Sequence, residues 1–279
     1  MFRDDSFLSS IPPVVKNIII INLLFFFASL VLPNALFDFS IDKYLGLHAL
    51  GSEAFTPFQL ISYMFLHGGF SHIFFNMFAL FMFGRILESH WGSKRFFIYY
   101  MVTGVGAGLV QLATQYYQLA EMSEAITQYL NNANPTTFHS FIENKFVASS
   151  HEVVNHFNGF RDTYNELIRT DPARAVGLSK EWISQYQIDY YNSFVTIGAS
   201  GAVFGILLAF GMTFPNVELM LLFPPIPIKA KYFVIIFAVI ELILGITGGG
   251  NIAHFAHLGG MIFGFILVRY WKKKNRLYY

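Results

Sequence analysis

Residues 196–205 read TIGASGAVFG and open an apolar run that extends to about residue 213. One hydroxyl, that of Ser200, stands among glycines and alanines at the start of this run. A serine so placed is either a small residue that lets two membrane helices approach or a nucleophile waiting for a base. The choice depends on what the rest of the chain brings to the same depth.

The whole chain is apolar. Of its 279 residues 54% are hydrophobic, 33 are phenylalanine, and only 13% are charged. Soluble domains carry about 25% charged residues, so the bias points to an all-α polytopic membrane protein. A net charge of +1 gives no electrostatic footprint for nucleic acid. With no cysteine, disulfides, thiolate catalysis and cysteine metal sites are excluded. Apolar runs near the ~20 residues that span a bilayer predict membrane helices at 15–36, 58–83, 96–114, 197–213, 232–248 and 252–271. The first lacks a small-x-small cleavage pattern, so it reads as a retained anchor. The chain then divides into 1–114 with three spans, a polar block 115–195, and 196–279 with three more. The block shows helical spacing of apolar residues, with breaks at Asn134-Pro135 and Asp171-Pro172. It predicts three or four amphipathic helices outside the membrane.

Lysine and arginine counts set the orientation. The tail RYWKKKNRLYY, the loop holding Arg85, Lys94 and Arg95, and the loop holding Lys229 and Lys231 all fall on the side of the N-terminus. That side is expected to be the cytoplasm, with both termini there, and the setting a bacterial inner membrane. The stretch 37–57 has one lysine against three acids, and 115–195 has nine acidic and five basic residues. Both are expected to face outward, which puts Ser200 near the outer face.

Polar groups inside membrane helices are costly and usually functional. The second run carries His67, Ser71, His72 and Asn76, with His72 and Asn76 four apart on one helical face. The sixth carries His254 and His257, and the fifth carries Glu241 at mid-span. With Ser200 on the fourth, three helices (second, fourth and sixth) thus bring polar groups to one depth beneath the outer surface, apart from Glu241 at mid-span. The four histidines could also serve a metal. With no HExxH pattern and no intramembrane aspartate, neither a metal nor a cofactor is expected.

Small residues recur every four positions at Gly201, Gly205 and Ala209, and again at Ala256, Gly260 and Gly264. Two such stripes let backbones come close, so Ser200 beside the first can reach His257 beside the second. A serine needs an adjacent base to act as nucleophile. His254 is the rival, but glycines follow His257 at plus three and plus seven.

Four elements in order, HIFFN (72–76) and GRILESHWG (84–92) at the second span, GASG (198–201) and AHLGGMIFG (256–264), resemble the rhomboid family of intramembrane serine proteases. The resemblance implies a six-helix bundle, with the block 115–195 as an unusual extracytoplasmic helical insertion. It implies Ser200 as nucleophile and His257 as general base, in a dyad because no aspartate lies in the spans. It implies His72 and Asn76, with the Ser200 N–H, as oxyanion donors, and Gly198 and Phe204 beside the substrate. Gly84, Glu88, Gly92, Gly260 and Gly264 would be structural. Partners would be single-span membrane proteins and lipid. Two departures stand out: 37–57 lacks a Trp-Arg pair, and Phe204 replaces a frequent tyrosine. The alternative is a rhomboid-like binding or quality-control factor without proteolysis. A transporter would need broken helices in repeated halves, which the sequence lacks.

Overall fold

The computed structural model describes residues 10–35, 40–220, 225–248 and 253–274. The end of the basic tail (275–279), part of the first outer loop (36–39) and residue 252 of the sixth run lie outside the described residues.

Nearly all the described chain is helical. Helix α1 spans Pro13–Ala35, followed by a short α2, Ile41–Leu45. Helix α3, Gln59–Ser62, passes into a 3-10 turn, Tyr63–Phe65. The chain then breaks and restarts as α4, Phe70–Ala79, which runs through a π turn, Leu80–Gly84, into α5, Arg85–Trp91. Helix α6 covers Ser93–Asn131, then come α7 (Pro135–Asn144), α8 (His151–Thr170) and α9 (Pro172–Asn192). Helices α10 (Ser200–Thr213), α11 (Ala230–Thr247) and α12 (His254–Lys273) complete the chain. A small antiparallel hairpin, Glu218–Met220 with Pro227–Lys229, joins α10 to α11.

Among the described residues, four helices are long and apolar enough to cross a membrane: Pro13–Leu32, Phe70–Trp91, Ser93–Asn131 and Ala230–Thr247. In a bilayer only a helix or a closed barrel satisfies every backbone group, so apolar runs of this length become helices. Their outer faces carry large exposed side chains, such as Leu24, Phe27, Phe70, Phe75 and Ile246. Such a belt in water would drive aggregation; in lipid it is the contact surface. Helix α10 differs, since Gly201, Ala202, Val203, Gly205, Ile206, Ala209 and Phe210 are all buried. It is the core helix, which is why its sequence shows no amphipathic pattern.

Two expected boundaries moved. The second run, expected as one helix over 58–83, is broken at 66–69, where Gly69 is fully extended (φ 169°, ψ 171°). The continuous apolar character hid the break, because hydropathy does not report backbone angles. The third helix, expected to end near 114, continues to Asn131. Its 39 residues run to about 58 Å at ~1.5 Å each, nearly twice a bilayer's ~30 Å apolar thickness.

By internal contacts the chain forms two units. One takes in Thr56–Gln111 and the described parts of Met1–Leu47 and Thr196–Tyr279; the other takes in His48–Phe55 and Leu112–Val195. The second unit has its own core, built from Leu119, Met122, Ile126, Phe138, Phe160 and Trp182 among others. Trp182 stacks on Tyr186 with ring centroids 5.4 Å apart. The two proline breaks are helix starts: the Asn134 side chain accepts from Thr137 N in a capping box, and Asp171 accepts from Arg174 N. Proline at the first helical position costs nothing there, because that N–H has no intrahelical partner.

In the first unit Glu88 fastens α1. Its carboxylate accepts from Val14 N at 2.9 Å, Val15 N at 2.8 Å and Ser93 Oγ at 2.7 Å. The first N–H groups of a helix lack intrahelical partners, and a carboxylate there also meets the positive end of the helix dipole. Gly84 packs where a Cβ would lie 3.1 Å from Phe96 and 3.2 Å from Val15, so it lets α1 and α6 close on this turn. Gly92 ends α5 at φ +82°, a conformation that disfavours any side chain. Glu88→Gln is expected to cost on the order of 3 kcal/mol, since bonds to a charged group contribute ~1.5–3 kcal/mol each. Thermal unfolding in one fixed detergent checks this, and an unchanged midpoint would mean that α1 is held elsewhere.

Candidate active site

Ser200 is the first residue of α10, two residues after a glycine whose backbone angle other residues rarely adopt. Gly198 has φ +128°, and its N–H donates to Tyr63 O at 2.9 Å. A Cβ built at Gly198 would lie 2.7 Å from His72 Nε2 and 3.7 Å from Ser200 Oγ. The space beside Gly198 is therefore bounded by the His72 ring and the serine hydroxyl. Any larger residue would fill it.

The hydroxyl has a base. Ser200 Oγ and His257 Nε2 are 2.8 Å apart. Helices α10 and α12 can bring them together because Gly260 lies directly on the Gly201 carbonyl, where a Cβ would overlap it. The two glycine stripes do not simply face each other, however. Gly205 packs on Thr103 and Gly264 on Tyr99, both of α6, and Gly201 also meets Ala107 of α6. The stripes thus serve a three-helix junction rather than a two-helix seam. Tyr99 closes it by donating its hydroxyl to the Gly205 carbonyl at 2.7 Å.

Phe204 lies flat on the His257 ring, with centroids 4.2 Å apart and planes at 7°. It thus covers one face of the imidazole. His72 stands on α4 with its Nδ1 3.4 Å from Gly68 N, in edge contact with His67. Asn76 is buried and donates Nδ2–H to the His72 carbonyl at 3.0 Å. Both residues lie on the helix that follows the break at 66–69, so the break sets their height relative to Ser200.

One residue joins the site that residue types alone did not place there. Glu241 Oε2 is 2.8 Å from His257 Nδ1 and 2.7 Å from His254 Nδ1. The expectation of a bare serine–histidine pair rested on the absence of aspartate from the spans; a glutamate of α11 lies within hydrogen-bond distance of the far nitrogen of the same ring. The available signal was a lone mid-span charge followed, after a short connection, by two histidines three apart. Glu241, His254 and His257 are also arranged so that a metal ion could bind among them. The two hydrogen bonds account for the same arrangement with no ion.

Such a site can transfer a proton from a hydroxyl to an imidazole beside a glycine turn and a helix N-terminus. Comparison with known proteins agrees in kind. The model of the Rhomboid domain matches residues 54–129 and 175–274, leaving out 130–174, where α7 and α8 lie. A RHOMBOID-like protein 5 of Arabidopsis thaliana is 41% identical over 56 residues, covering 20% of this chain and 18% of that protein. Rhomboid-like protein 11, chloroplastic, from the same plant is 36% identical over 53 residues, covering 19% of each. The chain thus matches less than a fifth of the length of either relative.

Proposed function

The chain belongs to the rhomboid family of intramembrane serine proteases, and from that premise we propose that it hydrolyses peptide bonds of single-span membrane proteins near the outer membrane face. The observation that carries this is the 2.8 Å contact between Ser200 Oγ and His257 Nε2. His257 takes the serine proton as Oγ attacks the scissile carbonyl, then gives it to the departing amine. Both groups that such chemistry needs are present and within hydrogen-bond distance.

The position of Ser200 supports cleavage below the membrane surface. Helix α10 has 14 residues, about 21 Å at ~1.5 Å each, against an apolar thickness of ~30 Å. One of its ends therefore stops inside the bilayer, and the lysine and arginine counts favour the Ser200 end on the outer side. The same counts support cytoplasmic termini and an outward-facing block 115–195, in keeping with a bacterial inner membrane. In that topology the block can influence which substrates arrive, while the chemistry stays with the helices of the other unit.

The test is cleavage of a generic single-span substrate by the purified protein, together with labelling of Ser200 by a fluorophosphonate. A wild-type protein that is folded, cuts nothing and is not labelled would leave the binding-factor alternative.

The oxyanion is assigned to His72, Asn76 and the Ser200 N–H, which as the first of α10 has no intrahelical partner and lies at the positive end of the helix dipole. His72→Ala and Asn76→Ala are each expected to lower kcat by about 10²–10³, the usual effect of removing one oxyanion donor. KM should change little, because such donors act on the transition state. Steady-state kinetics separate the two, and a pure KM effect would reassign both residues to substrate positioning.

A further inference from the structure

A carboxylate in the middle of an apolar helix needs a reason. Glu241 is 8% exposed, and its partners His254 and His257 are 4% and 7% exposed. An acidic residue at mid-bilayer costs ~2.5–3.5 kcal/mol on insertion scales, and buried charges persist where they are hydrogen-bonded. Here one carboxylate oxygen meets two histidine Nδ1 atoms. Taken as an ionised carboxylate, which only accepts, Glu241 calls for a hydrogen on both Nδ1 atoms. A neutral His257 with hydrogen on Nδ1 has a lone pair on Nε2, and that is the atom facing Ser200 Oγ at 2.8 Å.

Resting on the protease reading, we propose that Glu241 is a positioning residue for His257, completing an intramembrane Ser-His-Glu relay in place of a bare pair. The Ser200 O–H proton moves to His257 Nε2 as Oγ bonds to the scissile carbonyl carbon. His257 becomes imidazolium, its Nδ1–H still held by the Glu241 carboxylate, which stabilises that charge without taking the proton. Nε2 then gives the proton to the leaving amine as the C–N bond breaks. Water, deprotonated by the same Nε2, later bonds to the acyl carbon, and Nε2 returns that proton to Oγ as the C–Oγ bond breaks. His254 holds the shared carboxylate oxygen from a second direction, so the Glu241 side chain is fixed before substrate arrives. The ring is thereby held at three places: Phe204 on one face, Ser200 at one nitrogen and Glu241 at the other.

The experiment uses the full-length protein in one detergent, as wild type, Glu241→Gln and Ser200→Ala. Glu241→Gln keeps the volume and removes the charge. It should lower kcat and the rate of fluorophosphonate labelling together, by about 10²–10⁴, the upper end being the loss seen when a triad aspartate is amidated in trypsin. KM, and substrate binding measured on a Ser200→Ala background, should change less than about threefold, which a tie between α11 and α12 alone would not predict. Nitrogen-15 spectra of histidine-labelled wild type should show neutral His257 with hydrogen on Nδ1; hydrogen on Nε2 would overturn the proposal even if the variant fails to fold. Equal labelling of wild type and Glu241→Gln overturns it while leaving the protease reading intact. Stoichiometric zinc in wild type, lost in the variant, overturns it in favour of a metal site. No labelling of folded wild type removes the protease reading itself, and the proposal with it.

Discussion

Cleavage by Ser200→Ala protein is expected to fall by about 10⁶ or to below detection, the loss seen when the nucleophile of a soluble serine protease is removed. The substitution deletes one half-buried oxygen at the first turn of α10, and alanine suits a helix better than serine. Folding should therefore be unaffected, and the melting temperature should match wild type. His257→Ala should be equally inactive, because no other ring nitrogen is bonded to the Ser200 hydroxyl among the described residues. His254→Ala should retain activity within about tenfold, since Glu241 keeps its bond to His257; inactive His254→Ala beside active His257→Ala would exchange their roles. Purified variants incubated with a single-span substrate, with fluorophosphonate labelling alongside, read all three. Wild-type activity in a clean Ser200→Ala preparation would sink the assignment of the nucleophile.

Gly260→Ala should be nearly as damaging, although Gly260 carries no chemistry. A Cβ there would overlap the backbone carbonyl of Gly201. Backbone cannot change rotamer, so α10 and α12 must separate. Overpacking of this kind costs ~1–3 kcal/mol. Ser200 and His257 stand one turn or less from the contact, and a misplacement of about 1 Å in a catalytic pair costs roughly 10²-fold in rate. The expected result is a lower melting temperature and a fall of at least about 10² in kcat. Gly159→Ala and Gly177→Ala supply the control, because both glycines are on helices with nothing within 4 Å of an added methyl. Those two should be neutral or stabilising by up to about 1 kcal/mol. Full activity and an unchanged melting temperature in Gly260→Ala would show that the helices have room the geometry denies them.

Much of the architecture is written locally. Apolar runs of membrane length give helices because nothing else satisfies the backbone in lipid. Asn134-Pro135 and Asp171-Pro172 give helix starts because a side-chain oxygen caps the turn and proline fixes its angle. Glycine and alanine at every fourth position give close packing, since one helix face then lacks side chains. These signals act over three or four residues and survive in any surroundings. The break at 66–69 was less legible, because its glycines sit in a stretch whose hydropathy continues across them.

By itself the sequence determined a polytopic helical protein, a serine and a histidine on separate spans, and the small residues that let those spans meet. The tertiary structure alone decided which partners those residues have. The stripes at Gly205 and Gly264 turned out to face Thr103 and Tyr99 of α6, and Glu241 turned out to face both histidines. Helical periodicity fixes which residues share a face of one helix, but it carries no information on which neighbour that face meets. For a lone charge such as Glu241 there is not even a period to read, so its partner is set only when α11 packs against α12.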